Sequence, residues 1–83
     1  MTLTIYTRPG CHLCDDMKAV VKQVVRDVDG NASINEVDIS TDPALEALYG
    51  IEIPVLMIDG KKAAKYRVTE DALKKMLAGR SNG

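Results

Sequence analysis

Cys11 and Cys14 are the residues of this chain best suited to covalent chemistry, and they are the only two cysteines among its 83 residues. A thiolate attacks disulfides and binds soft metal ions, which a thiol does poorly. Two residues three apart at the start of a helix share a face, with Cα atoms about 5 to 6 Å apart, a separation that suits a disulfide. The pair can therefore close on itself, and it spans too few residues to staple distant parts of a fold. Metal binding is the competing chemistry. A zinc or iron–sulfur site normally takes four ligands, and Cys11, His12 and Cys14 supply three, so a metal would need a second chain or an external thiol.

Placed at a helix N-terminus, the two thiols differ. Free N–H groups and the positive end of the helix dipole favour a thiolate there. Cys11, nearer that end, is the expected nucleophile. Cys14, one turn further in and more buried, is the expected resolving thiol. His12 between them is either an exposed spacer or a tuner of Cys11. Asp15 and Asp16 suit the helix dipole, but as anions they oppose the cation of Arg8, so residue types alone leave the net shift of Cys11 unsigned.

The elements that must hold this pair follow from hydrophobic spacing. Leu3 to Thr7 alternates and is rich in branched and aromatic residues, which predicts a strand, and Arg8-Pro9-Gly10 breaks it into a loop. Leu13, Met17, Val20, Val21, Val24, Val25 and Val28 recur at helical spacing, so a helix is expected over 11–28, ended by Asp29-Gly30-Asn31. A second strand is expected from Ser33 to Ile39, parallel to the first through a right-handed crossover. Ser40 to Asp42 offer caps before Pro43 at a first helical position, with a short helix running on to Gly50. Val55 to Ile58, a turn at Asp59-Gly60 that is expected to do nothing more, and Lys61 to Tyr66 read as a hairpin. Thr69 caps a last helix over 70–78, with Gly79 just beyond it.

The expected fold is therefore α/β, in the order β-α-β-α-β-β-α, with a mixed four-stranded sheet flanked by three helices. One domain over 1–79 and a frayed tail over 80–83 are expected, because 83 residues leave room for one modest core. The cysteine motif thus lies where a strand's C-terminal loop enters a helix, the edge of a parallel sheet that usually faces ligands. Met57 and Met76 read as core, Tyr6 and Tyr49 as core or groove, and Pro54 could by itself simply begin a strand.

Composition narrows the partners. Net charge is −1 with acids and bases interspersed, which leaves no electrostatic footprint for nucleic acid or an anionic membrane. The longest apolar stretch, Ile53 to Ile58, is interrupted by Pro54 and falls far short of the roughly 20 residues a spanning helix needs. Met1 to Arg8 runs into the cysteine motif before a signal peptide could be completed, so the expected address is the cytoplasm. Structural disulfides are rare there, and a close cysteine pair is more often catalytic or metal-binding.

Tyr6-Thr7-Arg8-Pro9-Gly10-Cys11, followed by Cys14, resembles a glutaredoxin active-site segment, and Ile53-Pro54-Val55 resembles the family's substrate-side proline loop. The resemblance runs from Thr4 to Leu77 and is closest to short glutaredoxin-like proteins with a Cys-His-Leu-Cys motif. It implies a thioredoxin-like fold, Cys11 and Cys14 as a redox pair, and a cis peptide at Ile53–Pro54 beside them. The implied activity is thiol–disulfide exchange without a bound cofactor or metal. Its partners would be a disulfide-containing protein or small thiol, with a reductase or glutathione as electron donor and the chain acting as a monomer.

Two departures bear on glutathione as a co-substrate. Ile53 stands where glutaredoxins carry threonine, and between Lys61 and Asp71 the glycine pair with its adjacent acid is missing. Arg8 does keep the place of the basic residue three before the first cysteine, where a cation could stabilise the Cys11 thiolate. Thioredoxins carry tryptophan just before that cysteine, and this chain has none. Two other readings remain: a non-enzymatic domain whose cysteines sense redox state, and a dimer bridging an iron–sulfur cluster.

Overall fold

Strand β1 (Thr2–Thr7) alternates between buried and half-buried residues, with Leu3, Ile5 and Thr7 pointing into the molecule, as the two-residue period of a strand requires. In a computed structural model that describes residues 1–28 and 32–80, the next element is helix α1 (His12–Val28). Its buried stripe of Cys14, Met17, Val21, Val24 and Val25 recurs at three- and four-residue intervals. Val28, expected in that stripe, is 40% exposed, since the stripe has rotated off the core by the last turn. The stop expected at Asp29-Gly30-Asn31 lies outside the described residues.

Strand β2 (Ser33–Asp38) pairs in parallel with β1, Leu3 opposite Ile34 and Thr7 opposite Asp38. It ends one residue before the expected Ile39. The Asp38 carboxylate accepts hydrogen bonds from the Ser40 backbone N–H at 2.9 Å and the Ser40 hydroxyl at 2.6 Å, which turns the chain into a single 3-10 turn, Ile39–Thr41. Ile39 is fully buried within that turn. Helix α2 (Pro43–Tyr49) follows, with Pro43 in its first turn and Asp42 as N-cap, its carboxylate accepting from Ala44 N at 2.9 Å and Leu45 N at 3.3 Å. Leu48 is 64% exposed, because a helix of 7 residues presents only one narrow face to the rest of the molecule.

The hairpin joins β3 (Val55–Ile58) to β4 (Lys61–Lys65), with Asp59 and Gly60 both at positive φ in the turn, the conformation that matches the twist of a two-residue hairpin. The turn does more than reverse the chain. Asp59 accepts through Oδ1 from Thr2 N at 2.8 Å and donates its own N–H to Thr2 O at 2.8 Å, which extends the β1–β3 pairing. Tyr66, expected as the last residue of β4, instead leaves the sheet at φ 67° and donates its N–H to Pro54 O at 2.8 Å. Helix α3 (Glu70–Arg80) starts at Thr69, whose Oγ1 accepts from Ala72 N at 3.1 Å. It passes through Gly79 rather than stopping before it, as a glycine in a terminal turn can, so Arg80 belongs to the helix and not to the expected tail. The rest of that tail, residues 81–83, lies outside the described residues.

The sheet order is β2-β1-β3-β4, parallel between β1 and β2 and antiparallel elsewhere. One face carries the core, in which Leu3, Ile5, Leu56 and Ile58 of the sheet meet Met17, Val21, Val24 and Val25 of α1 and Leu73 and Leu77 of α3. Met76 packs at its margin and Met57 is half-buried. This is the mixed four-stranded sheet with three helices expected from the sequence. It delivers the loop after β1, the start of α1 and the residues before β3 to one end of the molecule.

Candidate redox site

Gly10, at φ 80°, turns the chain out of β1 in a left-handed conformation that glycine adopts without steric cost. Cys11 follows and stands at the residue before α1. Its carbonyl accepts from Asp15 N at 3.2 Å, and its sulfur accepts from Cys14 N at 3.1 Å. A cysteine here does what a serine or aspartate N-cap does, using sulfur as the acceptor for an otherwise unpaired helix N–H. The helix begins at His12 rather than at Cys11 because Cys11 serves as its cap.

Cys11 and Cys14 form a disulfide, with Cα atoms 5.2 Å apart. Cys14 is fully buried, Cys11 is half-buried and His12 is exposed. An attacking group therefore reaches Cys11 and not Cys14. Among the described residues no group of three or more histidines, cysteines and acids could hold a metal ion.

The peptide bond between Ile53 and Pro54 is cis. Pro54 is buried and Ile53 half-buried. The short segment before β3 is tied at four points. Glu52 N donates to Tyr49 O at 2.8 Å, the Glu52 carboxylate meets Lys62 Nζ at 2.7 Å, Arg8 Nη2 reaches Gly50 O at 3.4 Å, and Pro54 O takes the Tyr66 N–H. Lys62 also lies over the ring of Tyr49, 5.8 Å from its centroid, and Tyr49 in turn stacks on Tyr6. The two tyrosines therefore form an aromatic bridge between β1 and α2 and belong to neither a deep core nor an open groove.

Arg8 is placed differently from a free cation beside a thiolate. Its Nη2 forms an ion pair and hydrogen bond with Glu46 Oε1 on α2. No local pattern pointed to Glu46, which is 38 residues away in sequence. The partnership of Glu46 with Arg8 and the wall provided by Tyr66 and Arg67 are the features that sequence spacing missed. A cavity of about 190 Å³ opens between α1 and the segment leading into α3, bounded by Leu13, Asp16, Val20, Tyr66, Arg67 and Thr69 among others. A second, of about 290 Å³, lies at the C-terminal ends of β1 and β2, where Thr7, Arg8, Lys18, Glu36 and Asp38 meet. There Lys18 pairs with Glu36 at 3.1 Å and with Asp15 at 4.0 Å.

The hydrogen bonds from Ser40, side chain first and backbone second, hold the Asp38 carboxyl below its ordinary range; desolvation opposes them, and the charge of Arg8 is the smallest contribution to the lowering. The hydrogen bond from Lys62 likewise lowers Glu52, while Glu52 raises Lys62. These groups are all at the surface, so the shifts describe local pairing rather than a buried charge.

Comparison with known proteins agrees with this geometry. A family described as Glutaredoxin-like domain (DUF836) matches residues 2–78. The chain is similar to a protein of Dictyostelium discoideum named Glutaredoxin-like protein YDR286C homolog, at 31% identity over 77 residues that cover 88% of this chain and 71% of the other. The X-ray structure of the structural-genomics target XcR50 from X. campestris is similar over 93% of this chain and 96% of its own, with a TM-score of 0.72 and 29% identity. A crystal structure of chloroplastic thioredoxin z shares the fold, with a TM-score of 0.73 at 16% identity over 99% of this chain and 79% of that one.

Proposed function

The chain belongs to the glutaredoxin-like domain family, and from that premise we propose that it exchanges disulfides through the Cys11–Cys14 dithiol. The observation that carries this reading is the asymmetry of the pair. Cys11 is half-buried at the helix cap and Cys14 is fully buried one turn behind it, the two joined by a disulfide.

In the proposed cycle the Cys11 thiolate attacks one sulfur of a substrate disulfide. A Cys11–substrate disulfide forms and the other substrate sulfur leaves as a thiolate. Cys14, deprotonated, then attacks the Cys11 sulfur, closing the intramolecular disulfide and releasing the second substrate thiolate. The substrate gains two electrons and the protein loses two. The hydrogen bond from Cys14 N to the Cys11 sulfur supports a role for the helix start in holding negative charge on Cys11. The segment at Ile53 and Pro54, tied at four points, is suited to orient an extended substrate by backbone pairing.

Reduction of the closed pair takes two electrons from glutathione or from a reductase. The substrate is a disulfide in a protein or a small molecule, and the protein acts as a cytoplasmic monomer that needs no bound cofactor. His12 is exposed, which favours its role as a spacer.

A redox titration tests the reading: the protein is equilibrated against graded glutathione or dithiothreitol couples, quenched, and its free thiols counted by mass. A reversible two-electron transition in the range of roughly −200 to −270 mV, lost in Cys11→Ser, is expected. Cys14→Ser should accumulate a mixed disulfide on Cys11. A pair that never closes, or closes irreversibly, would favour the binding or cluster readings instead.

A further inference from the structure

We propose that Glu46 is a positioning residue for the dithiol: by engaging Arg8 it holds the guanidinium against the end of α2 and offsets its charge, and so sets how readily Cys11 ionises. The proposal rests on the redox reading above and names a control on the same site.

Arg8 precedes Cys11 by three chain steps, so their Cα atoms are at most about 11 Å apart. A full positive charge at that range favours the thiolate over the thiol. The structure sets a carboxylate against that charge. Arg8 Nη2 is bound to Glu46 Oε1 and also directed at Gly50 O, both on the side of α2 and the Pro54 segment. The contact is single-pronged. Arg8 Nε and Glu46 Oε2 are buried and make no hydrogen bond among the described residues, whereas a two-pronged pair would satisfy both. A one-pronged pair with two buried polar atoms left over is a poor device for stabilising a fold. Its consequence is electrostatic: a carboxylate brought from 38 positions away offsets the charge of Arg8, a cation that the chain itself keeps within three residues of Cys11.

Gly50 is part of the same arrangement. A Cβ at that position would sit 2.5 Å from the Glu46 carbonyl oxygen and 3.1 Å from Glu46 Oε1, so the backbone of α2 leaves no room for a side chain at residue 50, and one placed there would also press on the carboxylate.

The neighbouring ionisable groups on α1 are His12, Asp15 and Asp16, and Tyr66 and Arg67 share a cavity wall with Asp16. Lys18, Glu36 and Asp38 share the wall of the other cavity with Arg8. All of them are common to the variants below, so their effects cancel in the differences.

The test is the ultraviolet thiolate absorbance of the reduced protein as a function of pH at low salt, in the parent, Glu46→Gln, Arg8→Gln and the double variant. For a unit charge roughly 12 Å away at an effective dielectric constant of about 40, Glu46→Gln should raise the thiolate-to-thiol ratio of Cys11 about threefold at fixed pH. Arg8→Gln should lower it by a similar factor, and the double variant should return close to the parent. A purely structural pair would change the melting temperature of all three variants without shifts of opposite sign. Shifts in the same direction, or none as large as about 1.5-fold, would overturn the proposal. If the parent fails the redox titration, the redox reading is lost, while the ionisation contrast is still measured on the reduced thiols and judged separately.

Discussion

The rings of Tyr6 and Tyr49 stack with centroids 4.6 Å apart and planes 12° apart, so that the side of β1 turned away from the main core is met by α2. Stacked aromatic pairs contribute about 0.5–1.5 kcal/mol beyond the area they bury. A double-mutant cycle with Tyr6→Ala and Tyr49→Ala, read by urea denaturation, should return a coupling in that range. A coupling under about 0.3 kcal/mol would mean that the rings are neighbours without being partners.

The cap of α2 should matter more than its exposure suggests, because this helix of 7 residues carries both Tyr49 and Glu46. Asp42→Ala removes the acceptor for Ala44 N and Leu45 N and should lower stability by about 0.5–2 kcal/mol, whereas Asp42→Ser should keep most of it. Equal losses in the two variants would count against capping as the cause.

Stability should respond to acid through Glu52. Its carboxyl is held below the ordinary range by the hydrogen bond from Lys62. A lowered carboxyl contributes stability that is fully present above its unfolded value and is lost as pH falls through its folded value. The melting temperature of the parent should therefore fall more steeply than that of Glu52→Gln across that acidic window. At the alkaline end Lys62, raised by Glu52, should lose its contribution as pH climbs through its raised folded value. Parallel melting curves for parent and variant over both windows would show that the pair has no net effect.

Leu73 and Leu77 are the fully buried anchors of α3. Leu73→Ala should cost about 2–5 kcal/mol, a large part of what a domain this small has to spare. The neighbouring Lys75→Ala, at an exposed position, should stay within about 0.5 kcal/mol of the parent. Thermal unfolding of the two variants side by side makes the comparison, and a mild effect of Leu73→Ala would show that α3 is docked by other contacts.

What the sequence disclosed follows the range of the interactions. Asp42 before Pro43, Asp59 before Gly60 and Thr69 before Glu70 each act within a few residues, and each forms the cap or turn its local chemistry predicts. Cys11 and Cys14 also signal locally, through their spacing and their place after a strand. The pairs Arg8 with Glu46 and Tyr6 with Tyr49 could not be found this way, because the choice of partner depends on how α2 is laid across the sheet. The same limit explains Ile39, whose apolar side chain fits a strand or a 3-10 turn equally well until Asp38 takes Ser40 as its partner. Tyr66 suits a strand by residue type, and only its hydrogen bond to Pro54 O shows why the backbone leaves β4 there.

The two open margins of the sheet carry opposite characters. β4, at one margin, presents Lys61, Lys62 and Lys65, while β2, at the other, presents Glu36 and Asp38 and no base. Two copies meeting margin to margin about a two-fold axis would set lysine against lysine or carboxylate against carboxylate, and like charges directly opposed across strands repel. Each margin is thus guarded against pairing with its own kind in a two-fold dimer, whereas β4 of one copy against β2 of another would set lysine beside carboxylate and meet no such repulsion. Screening by salt, which weakens such repulsion, is the condition under which that guard is lowest.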